Sequence, residues 1–174
     1  SEKEDIKRKL DDLLRRHREV SRESNRELKR LLEEHRRTSK RLDDEIKRLL
    51  REIEEAGASE ELRRELEEIV TEVKKLIEEI NRRLEDAVRK VHENNRKLDR
   101  ELEEVVKTLR DLLRRNVDTE TVRKEIEDIA RRSKEKLEKN TRDVKRMVDR
   151  SKEELKRILK ELEDAIREIK KKVD

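Results

Sequence analysis

His17, Asp99 and Ser133 are the three side-chain types of an acyl-transfer triad, in which histidine takes the serine proton and a carboxylate orients the ring. The same types return at an offset of 18 residues as His35, Asn81 and Ser151, with an amide where the acid would stand. Catalysis by such a trio needs an accessible nucleophile and an oxyanion hole, usually main-chain N–H groups of a loop or helix start. Here every member falls in the middle of a helical stretch, where main-chain N–H groups are already bonded. An amide copy of the acid serves a structural hydrogen-bond network equally well. No catalytic residue is assigned, and the chain is expected not to be an enzyme.

Metal chemistry fares no better. His17 and His35 lie about 27 Å apart along one helix, at 1.5 Å per residue. His92 belongs to another segment, at the edge of its apolar arc, where it donates to a network or meets solvent. No HExxH or Glu-x-x-His pattern occurs, and one histidine with one carboxylate makes a weak site. No metal ligand, cofactor or small-molecule substrate is expected.

The elements that must position these residues show themselves by an apolar clock. Leu10, Leu28 and Ile46 fall 18 apart, as do Leu13, Leu31 and Leu49. Leu66, Leu84 and Leu102 repeat the pattern in a second stretch, and Ile126, Val144 and Leu162 in a third. Eighteen residues complete five turns at 3.6 residues per turn, so each stripe stays on one face of a straight helix. A heptad stripe would instead drift and impose a left-handed supercoil.

Two short segments interrupt the clock. Ala56-Gly57-Ala58-Ser59 offers a left-handed C′ glycine and an N-cap serine. In Asn116-Val117-Asp118-Thr119, Asn116 suits the left-handed conformation, Asp118 caps, and Val117 can staple against Val122. Ser1 and Glu4 have capping-box spacing. Three helices follow, over 2–56, 60–115 and 119–173, each about 80 Å long. Loops this short make neighbours antiparallel. The expected fold is all-α: one domain over 1–174, an elongated antiparallel up-down-up three-helix bundle with long, nearly straight helices.

Matched through the two loops, the polar interruptions fall at common heights. His35, Asn81 and Ser151 share one layer; His17, Asp99 and Ser133 share the equivalent layer one repeat away. Ile53 and Ile169 occupy the third copy, which is dry. Between the two histidine layers, Ser21, Ser24 and Asn25 stand level with Asn94, Asn95, Asn140 and Thr141. Thr38 and Ser39, the counterparts of Val20 and Ser21, lie on the first-loop side of the His35 layer. Met147 fills a gap near Asn140. Burying an unpaired amide or hydroxyl costs about 1–3 kcal/mol. So many in one thin core are tolerable only if they bond one another. Buried hydrogen-bond networks that fix helix register are therefore expected.

Composition bounds the partners. No Cys, Pro or aromatic residue is present, and 57% of residues are charged. No apolar run reaches the length of a signal-peptide core or a membrane span, so a soluble, untargeted chain that needs no membrane is expected. The net charge of +4 and a pI near 9.2 come from interspersed signs rather than a basic patch. Glu78 with Arg82 and Glu79 with Arg83 are i,i+4 pairs. A nucleic-acid partner is not expected.

Equal-length straight helices, an 18-residue period, minimal capped loops, no aromatic residue and a Glu/Lys/Arg surface resemble a de novo designed parametric helical bundle. The resemblance covers the whole chain. Natural three-helix rods of the spectrin type share the topology but typically carry Trp, irregular loops and less uniform surfaces. What the resemblance implies is an engineered scaffold, produced by recombinant cytoplasmic expression, that requires no partner. A designed helical partner, self-association and a pH response through buried His remain open alternatives.

Overall fold

Strong helix formers fill the solvent positions, and branched or γ-branched apolar residues recur every three or four positions, so each stretch folds as one uninterrupted helix. The computed structural model describes residues 1–116 and 118–173. Its elements are α1 (Glu2–Glu55), α2 (Glu60–Arg114) and α3 (Thr119–Lys171). They form an antiparallel, up-down-up three-helix bundle, and no strand occurs among the described residues.

Helix ends follow the cap chemistry. The Glu4 amide donates to Ser1 Oγ (3.3 Å), while the Glu4 carboxylate lies 3.7 Å from the terminal ammonium. At the start of α2 the Leu62 amide donates to Ser59 Oγ (3.3 Å). At the start of α3 the Glu120 amide donates to Asp118 Oδ1 (3.1 Å). Gly57 (φ 74°) and Asn116 (φ 59°) take the left-handed conformation that turns the chain after α1 and α2. The staple expected between Val117 and Val122 involves a residue outside the described ones.

Contacts within the chain gather into two compact units. Unit 1 comprises Ser1–Lys29 with Ala87–Val144, and unit 2 comprises Arg30–Asp86 with Lys145–Asp174. In unit 1 the apolar core is built by Ile6, Leu10 and Leu13 of α1, Leu102 to Leu113 of α2, and Val122 and Ile126 of α3. In unit 2 it is built by Leu42 to Ile53 of α1, Leu66 to Ile80 of α2, and Leu155 to Ile169 of α3. The clock predicts burial well: Leu10, Leu28 and Ile46 are all at most 1% exposed. Each fully buried Leu or Ile contributes about 1.5–3 kcal/mol relative to exposure, so these dry layers carry the stability against which polar layers are tolerated.

Candidate functional site

His17 and His35 lie on the inward stripe of α1, two and one 18-residue repeats before Ile53, which fixes where their side chains must find partners. In unit 1, His17 is buried and its Nε2–H donates to a carboxylate oxygen of half-exposed Asp99 on α2. His17 Nδ1 is buried and has no hydrogen-bond partner among the described residues. Ser133 is also buried, but its hydroxyl donates to its own helix, to the Ile129 carbonyl (2.8 Å) with Ala130 O at 3.3 Å. The serine proton is thus held by a main-chain carbonyl rather than presented to His17. The helix always offers a serine such an acceptor one turn back, and here it wins.

In unit 2 the corresponding layer forms a chain of three. His35 Nε2 donates to Asn81 Oδ1 (2.6 Å), and Asn81 Nδ2 donates to Ser39 Oγ (3.2 Å). Because Oδ1 only accepts, the His35 proton sits on Nε2, and its Nδ1 is buried without a partner among the described residues. Burial pushes the His35 pKa below the ordinary 6.5, partly offset by the Asn81 bond and by Glu85. Ser39 lies on the first-loop side of His35 in sequence and joins its layer through the Asn81 amide. Thr38, half-buried, donates to its own helix at the Glu34 carbonyl (3.0 Å). Ser151 is buried.

Between the histidine layers of the sequence, unit 1 holds two pairs rather than one cluster. Ser24 Oγ and Thr141 Oγ1 are 2.8 Å apart, joining α1 to α3. Thr141 donates its only proton to the Leu137 carbonyl (3.1 Å), so Ser24 is the donor between the two hydroxyls. Asn140 Nδ2 donates to Asn95 Oδ1 (3.0 Å), joining α3 to α2. Asn95 is 2% exposed, and its own Nδ2 is buried without a partner among the described residues. Ser21 is buried as well. Asn94 and Asn25 are corrections to the sequence expectation, since both are exposed. Each neighbours a residue that takes the inward face, and one step along a helix rotates the next side chain by about 100°.

Ion pairs between helices were not anticipated, Arg110–Asp11 in unit 1 and Lys170–Glu52 in unit 2 among them. Glu34 and Lys152, each adjacent in sequence to a layer residue, form an ion pair between α1 and α3 of unit 2. The Lys152 ammonium holds the Glu34 carboxyl below the usual carboxylate range. Their adjacency to His35 and Ser151, which share a height, was the available signal. His92 is half-buried, and burial lowers its pKa, helped by nearby Arg96.

Among the described residues no group of three or more His, Asp or Glu side chains is placed to hold a metal ion. Among the same residues no helix is long and apolar enough to cross a membrane. The arrangement can hold helices in register through hydrogen bonds joining α1 to α2, α1 to α3 and α2 to α3. It is an all-α three-helix bundle with buried polar networks. Comparison with family models, curated proteins and solved structures gives no match.

Proposed function

We propose that this chain is a de novo designed structural scaffold without a natural biochemical activity, whose polar layers specify which helix faces meet and at what height. The observation that carries this is the distribution of the polar bonds. Each pair of helices has its own buried or half-buried polar link: His35–Asn81 for α1 and α2, Ser24–Thr141 for α1 and α3, Asn95–Asn140 for α2 and α3. Repetition of His, Ser and Asn/Asp at one 18-residue offset, with Ile53 and Ile169 closing the series, supports modules that were chosen. A scaffold of this kind is neither an enzyme nor dependent on a cofactor.

The Asn95–Asn140 pair tests it. Asn140→Leu alone leaves the whole Asn95 amide, 2% exposed, unbonded in the core and should destabilise by about 1–3 kcal/mol. Adding Asn95→Leu should recover that loss while amide NMR spectra broaden or split, because an apolar pair accepts several registers. A double variant that keeps a single sharp spectrum would show that the pair does not specify register. The alternative, a subunit of a designed assembly, predicts a solution mass that is a multiple of 21.3 kDa by light scattering.

A further inference from the structure

Beyond the scaffold role, the ion pairs that join α1 to α3 leave one place unanswered. Lys152 and Lys170 stand 18 residues apart on α3, and each pairs with a glutamate 118 positions earlier on α1, Glu34 and Glu52. Both pairs belong to unit 2. The same clock continued into unit 1 gives Lys134 on α3 and, 118 positions earlier, Arg16 where a glutamate would stand. Register is kept there, since Ser24–Thr141 and Glu2–Thr119 join the same two helices at an offset of 117. Two cations therefore meet at a height where the other copies carry an ion pair. Arg16 has no ion pair or hydrogen bond among the described residues. Lys134 has Glu138 at 3.9 Å, one turn along its own helix.

Both side chains border a groove of about 610 Å³ between α1 and α3, a size within the range of small-molecule sites. Leu13 and Val20 of α1 and Ile126, Ala130 and Leu137 of α3 give it apolar surface. Leu13 and Val20 are about 10.5 Å apart along the helix, so this surface runs lengthwise. The remaining charges of the lining largely answer one another. Asp12 pairs with Arg15 and Arg131 with Asp128, while Lys9 and Glu127 hold the offset of 118 with opposite signs. Glu19, exposed, is the acid left over; set against Arg16 and Lys134, it leaves one positive charge.

We infer that the α1–α3 groove of unit 1 binds an amphipathic monoanion, a carboxylate on an unbranched apolar tail, with its head between Arg16 and Lys134 and its tail along Leu13, Val20 and Ala130. A carboxylate is the fitting head because Glu34 and Glu52 supply that group to the equivalent lysines of unit 2. Guanidinium and ammonium donors hold it through charge-assisted hydrogen bonds.

Titration of the full chain, labelled with nitrogen-15, with octanoate, octanol and acetate separates head from tail. Octanoate should give saturable amide shifts centred on Arg16, Ala130 and Lys134, with Kd in roughly the millimolar range for so small a ligand. Octanol, which has the tail without the charge, should bind about three- to tenfold more weakly, the range open to solvent-exposed charge contacts. Acetate, the head without the tail, should not saturate over the same range. Arg16→Glu supplies the missing carboxylate from the chain itself, should stay helical, and should weaken octanoate about tenfold or more. Lys97→Glu, on the exposed face of α2, makes the same change in net charge and should leave binding within about twofold. Octanol binding as tightly as octanoate, acetate saturating alike, or shifts centred elsewhere would each overturn the inference. So would a folded Arg16→Glu chain that binds octanoate unchanged, or equal losses in the two variants. The octanol comparison on the unaltered chain decides the matter even if Arg16→Glu fails to fold.

Discussion

Replacing Asn81 and replacing His35 should not cost the same, although the two share one hydrogen bond. His35 is 1% exposed and Asn81 is only half-buried, so solvent can reach one partner and not the other. Asn81→Leu removes the acceptor of His35 Nε2 and the donor to Ser39 Oγ. The ring is then left with both nitrogens unbonded in the core, since Nδ1 already lacks a partner. Two lost bonds at about 1 kcal/mol each, plus about 1–3 kcal/mol for the stranded N–H, outweigh the about 1 kcal/mol returned by a half-buried leucine. The net is about 2–4 kcal/mol of destabilisation, or a Tm lower by about 4–16 °C for a chain of this size. His35→Ile instead installs the residue that the third repeat already carries at Ile53 and leaves the Asn81 carbonyl to water. It should be neutral or stabilising. Guanidinium unfolding of the two single variants and the double variant, followed by helical circular dichroism, gives the coupling, expected at about 1–3 kcal/mol. A His35→Ile variant that loses more stability than Asn81→Leu would refute the reasoning, because it would place the cost on the exposed partner.

Acid should weaken unit 2 through the same ring. The folded pKa of His35 lies below 6.5, so as pH falls past that value the unfolded chain takes up the proton first. Stability then drops until the folded pKa is passed. The guanidinium midpoint should fall between pH of about 7.5 and about 5 and fall less in His35→Ile; equal losses would remove His35 from the account, since half-buried His92 shifts in the same direction. The Glu34–Lys152 pair, about 30% exposed on each side, should contribute only up to about 1 kcal/mol in a double-mutant cycle and less in added salt. Glu34→Gln should cost no more than this, and a larger loss would mean the pair is better shielded than its exposure indicates. Gly57→Ala should cost about 1 kcal/mol through the left-handed backbone alone, because an added Cβ would meet nothing within 4 Å. An unchanged Tm there would show that the turn relaxes.

Helix extent, loop chemistry and core were legible because each follows from local spacing. An apolar residue at a clock position such as Leu28 has one face to choose, and Gly57 and Asn116 announce their own backbone angles. The polar layers were legible in height but not in pairing. Asn94 and Asn95 look alike to a register good only to a few residues, yet one side chain is exposed and the other is 2% exposed. Ser133 is buried as its spacing predicts, but its choice of a local carbonyl over His17 depends on rotamer competition that no spacing encodes. Lys152 is less legible because charged residues fill every outer face, and only its place beside Ser151, level with His35, sets it apart as a partner for Glu34.

Asn140 and Thr141 are consecutive on α3, yet they answer to different neighbours: Asn140 to Asn95 on α2, Thr141 to Ser24 on α1. Two adjacent prongs about 100° apart work like the two pins of a keyed plug. Turning α3 about its own axis unseats both, and so does sliding it along. The dipeptide therefore sets rotation as well as height. A foreign helix grafted in place of this stretch of α3 would have to carry the same two pins to seat in unit 1, whatever apolar stripe it brought.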